Sequence, residues 1–77
     1  MKKVIVFGGS GFLGSHVSDK LTQNGYQVTI FDKVKSKYLL DNQSMIEGDI
    51  LNLKDVNEAI KENDIVYNFA GLADIEE

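Results

Sequence analysis

Short apolar runs alternate with polar stretches of helical period along the whole chain. Val4-Ile5-Val6-Phe7 is apolar at successive positions, so Lys3 to Phe7 predicts a strand buried on both faces, as at the centre of a parallel sheet. Phe12 to Gln23 predicts a helix, with Leu13, Val17 and Leu21 recurring at i, i+4 and i+8 as its expected buried stripe. Asn24-Gly25 ends that helix, and Gly25 suits the left-handed position that follows one. Gln27 to Phe31 predicts a second strand closed by Asp32, Ser44 to Glu47 a short third, and Ile65 to Phe69 a fourth. Asn52 can cap a helix from Leu53 to Glu62, with Val56, Ala59 and Ile60 facing inward. The stretch from Lys33 to Gln43 is polar apart from Tyr38-Leu39-Leu40 and is expected to be a loop with a short helix. Strands alternating with helices imply a parallel sheet with right-handed crossovers. The expected class is α/β, a Rossmann-type sheet in the order 3-2-1-4, the first half of a doubly wound fold plus one strand, with helices packed on it.

The residues at the carboxyl ends of these strands carry the chemistry. Gly8-Gly9-Ser10-Gly11-Phe12-Leu13-Gly14 joins the first strand to the first helix and holds two overlapping glycine registers. Gly9, Gly11 and Gly14 fit G-x-G-x-x-G, while Gly8, Gly11 and Gly14 fit G-x-x-G-x-x-G. Such a turn lets the backbone approach a dinucleotide's pyrophosphate, and the helix beginning near Phe12 aims its unpaired N–H groups and positive dipole end at it. Asp32 lies eighteen positions past Gly14, where an acid accepts from adenosine ribose hydroxyls; taken alone it is an ordinary turn aspartate. Its charge opposes a 2′-phosphate and favours NAD over NADP, although Lys33 and Lys35 nearby could neutralise such a phosphate. Asp49 is either a turn residue or an acceptor for the adenine amino group, with Ile50 on the ring face. Asn68-Phe69-Ala70-Gly71 ends the fourth strand with small residues that let the backbone pass close beneath a nicotinamide ribose. Ligands of open α/β sheets bind at such strand ends, which favours one shared site.

Composition removes other classes. Seventy-seven residues hold one small domain at most, and a net charge of −4 argues against a nucleic-acid or anionic-membrane surface. There is no cysteine, hence no disulfide, thiolate metal site or cysteine nucleophile, and every basic residue is lysine. No metal site is expected, since His16 is the single histidine and falls off the apolar stripe. No secretory leader or membrane span is visible, so a cytoplasmic location is expected. Ser10 reads as a loop residue rather than a nucleophile, and Asp41, Asp55, Glu58 and Glu62 read as solvated charges.

The ordered motifs Val-Ile-Val-Phe-Gly-Gly-Ser-Gly-Phe-Leu-Gly-Ser-His, Phe-Asp-Lys, Glu-Gly-Asp-Ile and Val-Tyr-Asn-Phe-Ala-Gly resemble the amino-terminal portion of the extended short-chain dehydrogenase/reductases. The likeness covers essentially the whole chain and is nearest to the NAD-dependent epimerase/dehydratases acting on nucleotide sugars. It implies that Gly8, Gly11 and Gly14 form the dinucleotide turn, with the Phe12 and Leu13 amides on the pyrophosphate. It assigns Asp32, with Lys33 beside it, to the ribose, and Asp49 and Ile50 to the adenine. Phe69, Ala70 and Gly71 match a stretch usually written Leu-Ala-Ala, so Gly71 departs from the pattern.

The same likeness marks an absence. The family's catalytic Tyr-x-x-x-Lys is not here: Tyr26, Tyr38 and Tyr67 are followed at the fourth position by Ile30, Asn42 and Gly71. Residues 1–77 are therefore expected to be a partial NAD(P)-binding Rossmann domain, without the catalytic and substrate-binding parts and inactive alone. Its partners are expected to be NAD, a nucleotide sugar in the full-length parent, and further copies of itself through the exposed edge of the fourth strand. Two other readings stand beside this one: a non-catalytic dinucleotide-binding module, and a fragment of an NADP-dependent reductase of the same superfamily.

Overall fold

The computed structural model describes residues 2–36 and 39–70. Its elements are β1 (Lys3–Phe7), α1 (Phe12–Gln23), β2 (Gln27–Asp32), β3 (Gln43–Glu47), α2 (Leu53–Lys61) and β4 (Ile65–Asn68). The sheet runs β3-β2-β1-β4 and every pairing is parallel, as expected from the sequence. Register places Val4 beside Val28 on one side and Ile65 on the other. β3 begins one residue earlier than the apolar pattern indicates, and β4 ends one residue sooner.

β1 is central, and Val4, Ile5, Val6 and Phe7 are all buried. Their side chains divide between the two faces of the sheet. Val4 and Val6 join Val28 and Ile30 on one face, where Leu21 of α1, Tyr26, Met45, Ile65 and Phe69 close over them. Ile5 and Phe7 join Phe31 and Ala59 on the other, with Ile50, Val56 and Ala70 against them. One helix thus lies on each face, which is what parallel crossovers of one hand produce when the strand order reverses. Each fully buried Val, Ile or Phe contributes about 1.5–3 kcal/mol to holding these layers together.

The helix ends follow their local chemistry. Gly25 has φ +96°, and the Gly25 and Tyr26 N–H groups donate to Thr22 O and Leu21 O, both at 3.1 Å. This satisfies carbonyls that the end of α1 leaves open. The Asn52 side chain accepts from the Asp55 N–H at 3.3 Å and caps α2.

Three expectations need correction. Of the expected line on α1, Leu21 packs on the core and Val17 is half-buried, but Leu13 is 49% exposed, and the fully buried positions are Gly14 and Ser18. The cause is close approach, because small residues bring the α1 backbone against the glycine turn and leave larger neighbours on its flank. On α2, Ala59 is buried and Val56 half-buried, but Ile60 remains exposed. No helix occurs among the described residues between Lys33 and Gln43; Leu39 and Leu40 are exposed, and Tyr38 lies outside the described residues. Asn42 enters β3 at φ 70°, a left-handed conformation that asparagine tolerates. Among the described residues, no helix is long and apolar enough to cross a membrane.

Candidate functional site

The carboxyl ends of all four strands meet through backbone hydrogen bonds that continue the sheet into its loops. Gly8 N–H donates to Phe31 O at 2.8 Å, Gly48 N–H to Asp32 O at 2.9 Å, and Phe69 N–H to Phe7 O at 2.7 Å. The glycine turn, Asp32, the Gly48-Asp49 turn and the Phe69-Ala70 segment therefore share one edge of the molecule. The structure brings together every sequence-expected site residue it describes; Gly71 lies outside the described residues.

The glycines of the turn have different physical reasons. Gly8 has φ +77°, and a Cβ there would lie 2.6 Å from Ala70 N and 2.7 Å from the Phe69 carbonyl carbon. Gly8 is thus demanded by the passage of β4's end across the turn. A Cβ on Gly14 would run into Gly8 O and Gly9 Cα, so this glycine lets α1 seat against the loop. Gly9 is crowded by Ile30, whose Cγ2 would lie 2.7 Å from a Cβ. Gly11 is unlike these three. Its φ of −74° is ordinary, and a Cβ would meet only Gly8 O at 3.5 Å, a normal contact. Nothing in the fold requires glycine there.

Gly11 is also the residue that opens α1, with no side-chain cap. Its own N–H donates to Gly8 O at 3.2 Å, and Ser15 N–H returns to Gly11 O at 2.8 Å. The N–H groups of Phe12, Leu13 and Gly14 begin the helix and have no carbonyl a turn earlier to receive them. Phe12 is 77% exposed, so this end of α1 opens to solvent. The turn presents donors, a positive dipole end and room above Gly11, which is the chemistry of an anion receptor.

Asp32 does more than close β2. Its Oδ2 accepts from the Ser10 N–H at 3.0 Å and its Oδ1 from the Val34 N–H at 3.2 Å. One carboxylate fixes both the glycine turn and the start of the next loop. Each oxygen retains a lone pair for a further donor, so the group can accept from ligand hydroxyls without releasing the loops. Lys33, beside it, is exposed. Asp49 is exposed, and its Oδ1 accepts from the Leu51 N–H at 2.9 Å, the turn role weighed for it from sequence. Ile50 packs on the Phe31 side of the sheet, and a Cβ on Gly48 would lie 2.9 Å from the Phe31 ring. Asn68 Oδ1 accepts from the Ala70 N–H at 3.0 Å and shapes the bend after β4.

Two contacts escaped the sequence reading. Ser10 Oγ lies 2.9 Å from Ser36 Oγ, tying the glycine turn to the loop after β2. Gln43 Nε2 donates to Asp19 Oδ1 at 2.9 Å and Thr22 Oγ1 at 3.0 Å, tying α1 to β3. Neither pair is close in sequence nor part of a periodic pattern. His16 is exposed on α1 and packs edge-on against Phe12 at 4.7 Å; among the described residues no His, Asp and Glu cluster could hold a metal.

Known proteins share this arrangement. The chain is 36% identical over 77 residues to the UDP-N-acetyl-alpha-D-glucosaminuronate decarboxylase of Bacillus cytotoxicus, an alignment covering 92% of this chain and 24% of that protein. It is likewise 36% identical over 69 residues to the mouse (Mus musculus) sterol-4-alpha-carboxylate 3-dehydrogenase, decarboxylating, covering 90% of this chain and 19% of that one. It therefore spans about a quarter or less of these relatives' length. Among solved structures, the Bordetella bronchiseptica enzyme WbmH in complex with NAD+ superposes with a TM-score of 0.80 at 30% identity, over 91% of this chain and 26% of WbmH. The model of the NAD dependent epimerase/dehydratase family matches residues 4–77, and the chain belongs to that family.

Proposed function

We propose that these residues form the NAD-binding part of a nucleotide-sugar epimerase or dehydratase. Gly11 carries the reading. It is the glycine of the turn that folding does not demand, and it stands where the opening N–H groups of α1 face solvent. Backbone approach by a pyrophosphate accounts for a glycine there. The two relatives add a second support: they are equally identical to this chain yet are named for a sugar nucleotide and a sterol. What they have in common with it is then the cofactor half rather than the part that selects substrate. The choice of a sugar nucleotide rests on the decarboxylase's name and on the family's epimerase and dehydratase reactions.

In this reading Gly8, Gly11 and Gly14 shape the turn, and the Phe12 and Leu13 amides donate to the pyrophosphate. Asp32, with Lys33 alongside, holds the adenosine ribose. Asp49 and Ile50 border the adenine, and Phe69 and Ala70 run beneath the nicotinamide end, to which the family pattern also assigns Gly71. Bound NAD supplies a hydride acceptor for a sugar carbon. The 77 residues contain no Tyr-x-x-x-Lys, so the polypeptide alone binds cofactor without turning over substrate. β4 pairs on one side with β1, and Val66 and Tyr67 are 43% and 39% exposed, which favours self-association of this polypeptide through that edge. The cytoplasm, which supplies NAD, is the compartment proposed for it.

Calorimetric titration with NAD tests the reading. The protein should bind NAD, and Gly11→Val should keep its far-UV circular dichroism while losing affinity by about tenfold or more. Absence of NAD binding by the folded wild type, or full affinity in a folded Gly11→Val variant, would sink it.

A further inference from the structure

The far end of α1 closes on Asn24-Gly25, and this pair lies open to water. Both residues are exposed, and a Cβ on Gly25 would meet nothing within 4 Å. Asn24 is the C-cap of the helix, its own N–H shared between Lys20 O and Leu21 O, both at 3.1 Å.

An asparagine followed by glycine can react with its own main chain. The Gly25 nitrogen bonds to Asn24 Cγ, the Cγ–Nδ2 bond breaks, and ammonia leaves with the proton from Gly25. Water then opens the cyclic imide. Attack at one carbonyl gives aspartate; attack at the other gives isoaspartate, with the main chain routed through Cγ. Glycine favours ring closure because no side chain obstructs the approach and its backbone rotates freely. The other asparagines are each followed by a residue with a side chain: Asn42 by Gln43, Asn52 by Leu53, Asn57 by Glu58, Asn63 by Asp64 and Asn68 by Phe69. The side chains of Asn52, Asn63 and Asn68 are also held on backbone groups at 3.3, 2.8 and 3.0 Å.

The folded cap opposes this reaction. In the imide ring the Gly25 nitrogen must eclipse Asn24 Cβ, but at ψ 11° it nearly eclipses Asn24's own nitrogen instead. The Gly25 N–H is held on Thr22 O at 3.1 Å, and the Tyr26 N–H on Leu21 O at 3.1 Å. Rotating Asn24 into the reactive conformation breaks these bonds. Only the last turn of α1 need open, which costs far less than unfolding the domain.

We propose that Asn24 is a deamidation site, and that opening of the carboxyl-terminal cap of α1 sets its rate. The two products act differently on the helix. Aspartate places a carboxylate at the negative end of the helix dipole, with Lys20 one turn earlier to offset it. Isoaspartate adds a methylene to the main chain ahead of Gly25, so the Gly25 and Tyr26 N–H groups no longer reach both carbonyls. The far end of α1 then loosens. The inference is independent of what the protein binds.

The test incubates the intact protein in warm, mildly alkaline buffer, with and without denaturing urea, and follows peptide masses over time. Asn24 should convert before every other asparagine in both conditions, and about tenfold or more faster in urea. Enzymatic methylation detects the isoaspartate. The isolated isoaspartate form should unfold at lower urea than wild type, whereas Asn24→Asp should keep nearly the wild-type midpoint. Earlier conversion of another asparagine, or an intact Asn24 in urea, removes the site. Equal rates with and without urea overturn control by the cap. Equal midpoints for the isoaspartate form and wild type overturn the loosening of α1.

Discussion

The two helices are attached to the sheet by opposite means. α1 meets it closest through its smallest residues, with Gly14 and Ser18 fully buried, Leu21 packed on the core at its far end and Leu13 left on the flank. α2 has the sharper segregation of apolar and polar positions, yet it buries Ala59 alone among its residues. Amphipathicity therefore does not rank the strength of attachment here. α1, whose first turn is proposed to face the cofactor, is held by backbone proximity, which fixes position closely. A helix that only covers an apolar face needs less, and tolerates more.

The contrast breaks first at Gly14. Gly14→Ala forces a methyl group into Gly8 O and Gly9 Cα, so it should cost about 3 kcal/mol or unfold the protein, read from urea denaturation. A loss under about 1 kcal/mol would show that α1 can retreat and that proximity is not what holds it. Ser18→Leu comes next. The Ser18 Oγ donates to Gly14 O at 2.8 Å within a fully buried space, and the larger side chain should cost about 2 kcal/mol by overpacking. On the other face, Asn52→Ala removes the cap of α2 and should cost about 1 kcal/mol with little change in NAD affinity. Smallest is Leu13→Ala, at about 0.5 kcal/mol or less, because the side chain is half exposed. A loss of about 2 kcal/mol there would restore the apolar stripe as the packing face.

The same contrast explains what the sequence discloses and what it conceals. Strand positions were legible because each apolar run abuts glycine, aspartate or a small residue, and those residues mark the carboxyl ends where the candidate site is proposed. The limits of α1 were legible from Gly11 and Gly25. Its packing face was not, because hydrophobic periodicity weights large side chains, and Gly14 and Ser18 carry no such signal. A reader alert to small residues four apart would have found them. The loop after β2 was misread because Tyr38-Leu39-Leu40 looks like a helical patch, whereas Leu39 and Leu40 stay exposed. The Ser10–Ser36 contact joins residues 26 positions apart, and no local pattern announces it.

The register of the sheet has a consequence for how the molecule comes to exist. β1 is the first strand in the chain, and its partners are β2 and β4; Val4 must find Ile65, and the Lys3 N–H reaches the Asp64 carboxylate across 61 positions. No pairing in this sheet is a hairpin, so none can form from neighbours alone. During synthesis β1 is made before β4, and one flank of its backbone waits until β4 emerges. Search time, more than final stability, is then the vulnerable quantity for this topology.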